Sequence, residues 1–142
     1  MLAGNWTYRS YHNDPALVGN DPNAALAMIF GEGVFTFAMK GRTKVTGKLD
    51  MGSGYVLTLS GTARKGRGET PLAIHLIGLG VDGSPTAGWR YDYYCWPGYE
   101  WPDGIDQVPS LVGTVVRVKP HGPQSPAGVT ASFIAVSQAP SA

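Results

Sequence analysis

Seven of the thirteen residues from Trp89 to Trp101 are aromatic: Trp89, Tyr91, Tyr93, Tyr94, Trp96, Tyr99 and Trp101. Rings at this density serve either a core or a ligand. The Tyr91 and Tyr93 hydroxyls could fix an amphipathic or planar small molecule. They could also move a proton, given a partner such as His75, His12 or Asp106 within reach. The first use predicts a binding protein for a small hydrophobic or aromatic molecule, with Trp6, Tyr8, His12, Trp89, Tyr91, Tyr93, Tyr99, Trp101 and Asp106 around it. The second predicts a cofactor-independent isomerase, cyclase or lyase in which Tyr91, Tyr93 and His75 carry the chemistry. A third use is an interaction module without a ligand, its aromatic strand serving as an oligomer interface.

Strand parity divides the segment, because successive side chains point to opposite faces. Trp89, Tyr91, Tyr93 and Cys95 share an uncharged face, and Arg90, Asp92, Tyr94 and Trp96 share the other, which holds both charges. The uncharged face is expected inside, as pocket wall or as core. The other is aromatic yet polar, a surface suited to a homodimer. After Pro97-Gly98 the connection exceeds the roughly two to five residues usual for a hairpin. Tyr99 and Trp101 are expected to fold from it over the cavity mouth as a lid, with Asp106 or Gln107 as the polar contact.

The remaining reactive residues carry weaker signals. His75 sits in the apolar run Leu72-Ala73-Ile74-His75-Leu76-Ile77 and reads first as a satisfied core residue. His12 shares the Trp6 and Tyr8 face, which predicts a place near the cavity mouth, and His121, in Lys119-Pro120-His121-Gly122-Pro123, reads as loop punctuation. The histidine spacing does not suit a metal pair, so no metal site is expected. Cys95 is the only cysteine, which removes intrachain disulfides and Cys-x-x-C chemistry and leaves a small buried hydrophobe. No phosphate loop, dinucleotide fingerprint or Gly-x-Ser-x-Gly elbow occurs, and no cofactor is expected.

Eleven basic and ten acidic residues give a net charge of +1, and charged residues are 15% of the chain, below the roughly 25% of soluble domains. That balance argues against a nucleic-acid partner. Arg64-Lys65-Gly66-Arg67 reads as a solvated hairpin loop. No apolar run approaches the roughly 18 residues of a membrane helix. Strand-like residues begin almost at Met1, which predicts no leader and a cytoplasmic location.

The elements that must position these residues are strands. Helical periodicity is nearly absent, while short alternating runs punctuated by glycine recur. The runs cover residues 4–12, 23–30, 43–50, 55–63, 72–80, 88–96, 111–119 and 128–136, with Asn13-Asp14-Pro15 to Asn20-Asp21-Pro22 a turn-rich stretch. Met28-Ile29-Phe30-Gly31-Glu32-Gly33-Val34-Phe35-Thr36-Phe37 looks like two strands joined by a Gly-x-Gly turn, which brings the count to about nine. Gly31-Glu32-Gly33-Val34-Phe35 is faintly echoed by Gly52-Ser53-Gly54-Tyr55-Val56, suggesting repeated hairpins. A chain of 142 residues fits one domain, here residues 1–137, followed by a fraying tail over 138–142. The prediction is an all-β fold, a single antiparallel up-and-down barrel of about eight strands, whose closure removes exposed edges.

Leu2-Ala3-Gly4-Asn5-Trp6 resembles the Gly-x-Trp opening of lipocalin, avidin and related calycin barrels. The resemblance implies that Trp6 closes one end of an eight-stranded antiparallel barrel and that a ligand cavity lies at the other. The chain departs from secreted lipocalins in lacking disulfides and the later Thr-Asp-Tyr-type motif. Tyr11-His12-Asn13-Asp14-Pro15 does not reproduce the avidin biotin loop, so biotin is not the expected ligand.

Overall fold

The structure, a computed structural model, describes residues 2–12 and 19–138. Its strands are β1 (Gly4–His12), β2 (Ile29–Lys40), β3 (Lys44–Asp50), β4 (Val56–Arg64), β5 (Ala73–Gly80), β6 (Arg90–Pro97), β7 (Ser110–Arg117) and β8 (Thr130–Ser137). Each pairs with the next, and β1 pairs antiparallel with β8, so the sheet closes into an eight-stranded up-and-down barrel. Closure pairs the β1 and β8 edges with each other, as the alternating runs predict. No described helix is long and apolar enough to cross a membrane. Residues 13–18 of the turn-rich stretch and residues 139–142 of the predicted tail lie outside the described residues.

The period of two decides what goes inside. Along β6, Tyr91, Tyr93 and Cys95 are buried while Tyr94 and Trp96 are exposed. The middle of the barrel is filled by rings: Phe35 lies 4.7 Å from Tyr8, 4.9 Å from Phe37, 5.6 Å from Tyr93 and 6.0 Å from Phe133, centroid to centroid. Three of these pairs are edge-on and one is stacked, the arrangements in which ring quadrupoles attract. The barrel is therefore packed with side chains at its waist, and two cavities lie towards its ends.

Two expectations on the early chain are corrected. Residues 23–26, expected in a strand, belong to the helix α1 (Pro22–Leu26). Pro22 opens it, and the Asp21 carboxylate caps it by accepting from the Asn23 and Ala24 amides at 3.0 and 3.3 Å; capping and the Ala-Ala-Leu propensity prevail where no tertiary face competes. Gly31-Glu32-Gly33 is not a turn, because β2 runs unbroken through it and pairs with β1 and β3 on either side. Eight strands result in place of nine. Gly33 permits a close strand crossing: a Cβ there would fall 2.5 Å from the Asp50 carbonyl oxygen. Its echo, Gly52-Ser53-Gly54, is a true turn with φ of 85°, 53° and 82°, so the two segments share letters and not conformation.

The up-and-down order sorts the connections between two ends. The β1–β2, β3–β4, β5–β6 and β7–β8 connections gather at one end. The β2–β3, β4–β5 and β6–β7 connections gather at the other, with the N-terminal residues and Trp6.

Candidate functional site

At the first end lies a cavity of about 240 Å³. Its inner end is set by the buried side chains Tyr8, Leu49, Leu57, Tyr93 and Val115. Phe30, Met51, Tyr55, Trp89, Tyr91, Arg117 and His121 surround it towards the mouth. The volume falls below the roughly 300 Å³ at which ordinary small-molecule pockets begin. It exceeds the roughly 150 Å³ of an apolar cavity that accepts benzene, so one compact ring system with a short substituent is the right scale.

Trp89 and Tyr91 reach the cavity from the start of β6. Trp89 is the last residue of the β5–β6 loop, and Thr86 pins that loop. Buried Thr86 donates through Oγ1 to the Val56 carbonyl at 2.7 Å, accepts from the Val81 amide at 3.1 Å, and its own carbonyl accepts from the Trp89 amide at 2.9 Å. The Trp89 ring stands 5.8 Å from Tyr55 and 6.1 Å from Tyr91.

The polar centre is one that the sequence reading did not assemble. Arg117, the last residue of β7, follows the inward parity of Leu111 and Val115 and is 8% exposed. Its Nε donates to the Tyr91 hydroxyl oxygen at 2.8 Å and its Nη1 to the Pro126 carbonyl at 3.2 Å. Its guanidinium lies 5.2 Å from the Phe30 ring centre and 5.6 Å from that of Tyr91, within cation–π range. The Tyr91 hydroxyl is also hydrogen-bonded to His121 Nε2, and the His121 ring stacks on Trp89 at 3.8 Å and 15°.

Proton inventory fixes the Arg117 end of this chain. Guanidinium is a donor only, so the Tyr91 oxygen accepts from Arg117; the Tyr91 proton goes to His121 Nε2 in the tautomer that carries its hydrogen on Nδ1, and Nε2 donates to the Tyr91 oxygen in the other. Burial, and then the neighbouring Arg117 charge, push the His121 imidazole below its ordinary 6.5, which favours the neutral ring at neutral pH. Burial raises the Tyr8 and Tyr93 phenols, so both stay neutral hydroxyls. Burial also pushes the Cys95 thiol up to about 12, which makes it a poor nucleophile.

The sequence-derived candidates do not all meet here. Tyr8, Trp89, Tyr91 and Tyr93 line the cavity. His12 stands beside it at the end of β1, exposed, its ring edge-on to Phe30 at 4.8 Å. His75 does not join them: its neighbours Ile74 and Leu76 point inward, so it faces out, stacked on Tyr94 at 4.4 Å with Nε2 3.7 Å from Asp92 Oδ2. A barrel wall thus separates His75 from Tyr91 and Tyr93. Asp92, on that outer face as parity requires, is nonetheless buried between His75 and the Arg90 guanidinium, which donates to it at 3.1 and 3.3 Å.

The expected lid lies at the wrong end. Tyr99, Trp101 and Asp106 belong to the β6–β7 connection, and an up-and-down barrel places it opposite the β5–β6 connection that carries Trp89. Tyr99 and Trp101 are 72% and 67% exposed and pack edge-on against each other. Gln107 serves the loop itself, accepting from the Trp101 amide and donating to the Trp101 carbonyl. Trp6 is also at that end, where its indole donates to the Leu2 carbonyl at 2.8 Å. It lines a separate cavity of about 260 Å³ with Leu2, Met39, Leu72, Ile74 and Leu111. It is no wall of the aromatic cavity, because Trp6 and Ser10 sit at opposite ends of the same inward row of β1.

Among the described residues no cluster of three or more His, Cys, Asp or Glu could hold a metal. No protein-family model, curated protein or solved structure matches the chain.

Proposed function

We propose that this protein binds one compact aromatic molecule in the cavity framed by Phe30, Tyr55, Trp89 and Tyr91. The observation that carries the reading is the convergence of apolar ring faces with a fixed polar chain, Arg117–Tyr91–His121, on one cavity. Apolar walls with a few placed polar groups are what small-molecule sites have in common. In this architecture the closed barrel with Trp6 at the end away from the cavity is similar to a calycin barrel.

The test is a panel of one- and two-ring aromatic compounds followed by tryptophan fluorescence, with Trp89→Phe as the companion variant. Saturable quenching that disappears in Trp89→Phe supports the reading. Absence of any saturable response, together with no heat of binding by calorimetry, refutes it.

A second reading is favoured by the Tyr91 hydroxyl bond to His121. A phenol hydrogen-bonded to an imidazole on the wall of a cavity is poised to pass a proton to or from a bound molecule. In that reading the protein is a cofactor-independent isomerase, cyclase or lyase with His121 in the role the sequence suggested for His75. Turnover that falls by about a hundredfold or more in both Tyr91→Phe and His121→Gln, with binding kept, supports it.

A further inference from the structure

We infer that the molecule taken into the aromatic cavity is an acid, its carboxylate paired with Arg117. The inference rests on the binding reading above and specifies it. Among the described residues fourteen line the cavity, and of these Arg117 is the one permanent charge and none is an aspartate or glutamate. Among the described residues the ion pairs join Asp92 to Arg90 and to His75, and none reaches Arg117.

A guanidinium held this deep is costly when no anion accompanies it. The rings of Phe30 and Tyr91 and the oxygens of Tyr91 and Pro126 solvate it in part. These partners are all formally neutral, so the described residues leave the site with a net positive charge within an apolar cavity. Of the five guanidinium N–H groups, one at Nε and one at Nη1 are engaged by Tyr91 and Pro126, which leaves three donors.

A planar carboxylate accepts two parallel N–H bonds from such a fork. One guanidinium with no second permanent cation matches a single negative charge better than a phosphate dianion. The cavity volume of about 240 Å³ leaves room for one ring beyond the carboxylate. An arylacetate or arylcarboxylate of one or two rings is the resulting ligand class.

Isothermal titration of the full chain with four probes of one shape decides it: phenylacetate, phenylacetamide, phenethylamine and phenyl phosphate. Phenylacetate is expected to bind about tenfold or more tightly than phenylacetamide, as a charge-assisted hydrogen bond requires, and phenethylamine not at all. Arg117→Met is expected to erase the preference for the acid while keeping the amide affinity. Should that variant fail to fold, the wild-type ratio of acid to amide still gives the answer. Phenyl phosphate binding more tightly than phenylacetate would keep the oxyanion and overturn its assignment as a carboxylate. Amide or amine binding as well as the acid would overturn this inference and leave the aromatic site standing. If none of the four probes, nor any member of the neutral aromatic panel, binds, the site reading fails and this inference falls with it.

Discussion

Arg117 and His121 share the Tyr91 hydroxyl, Arg117 donating to its oxygen and His121 Nε2 hydrogen-bonded to it. The electrostatic consequence is measurable at His121. Burial first, and the Arg117 charge second, depress its titration below 6.5. A depressed histidine binds its proton more weakly folded than unfolded, so stability from this site is complete above pH 6.5. It declines as the pH falls through and below that value, because the unfolded chain then takes the proton first. NMR titration of the three imidazoles is expected to show His121 with a midpoint under 6.5, moving up in Arg117→Met as the neighbouring cation is removed. A wild-type midpoint at or above 6.5 would contradict the placing of His121 in a partly desolvated position beside the Arg117 charge.

The elements carry the site through glycine-permitted crossings and one pinned loop. Gly61 lies in β4, on the inward row with Leu57 and Leu59, and a Cβ there would fall 1.9 Å from the His75 carbonyl oxygen. The obstacle is backbone of the paired strand and cannot turn aside. Gly61→Ala is expected to lower stability by about 1–3 kcal/mol, read as a lower urea midpoint with an unchanged slope. Thr86 acts on the site through its loop. Thr86→Val keeps the shape but removes the hydroxyl that bonds the Val56 carbonyl. It is expected to cost about 1–3 kcal/mol and to weaken ligand binding by releasing Trp89, with calorimetry and urea unfolding as the paired readouts. A variant as tight-binding and as stable as the parent would show that Trp89 is held by ring packing alone.

At the scale of the whole molecule, barrel topology separates two aromatic groups that are adjacent in sequence. β6 spans the barrel, so Trp89 and Tyr91 open on one end while Tyr99 and Trp101 project from the other. The double variant Tyr99→Ala/Trp101→Ala is expected to bind the panel ligands within about twofold of the parent, a difference far below the roughly 1.4 kcal/mol of a tenfold change. Loss of binding in that variant would mean that the β6–β7 connection reaches the cavity after all.

Sequence alone was sufficient for the class of fold and for the inner face of β6. Closed eight-stranded architecture followed from alternating runs with turn signals, and parity placed Tyr91, Tyr93 and Cys95 inward, because a period of two is a local property of extended backbone. The same parity carried along β7 puts Arg117 on the row of Leu111 and Val115, so part of the polar centre was legible in strand spacing. His121 was not: it sits in a Pro-Gly loop with no periodicity, and only the return of the β7–β8 connection over Trp89 gives it a role. Likewise, neighbours in sequence suggested a wall with a lid, and the tertiary structure parted them, since strand direction in a closed barrel decides which loops share an end. Local patterns set which way a side chain points; which side chains meet depends on closure of the sheet, a long-range condition that no segment carries by itself.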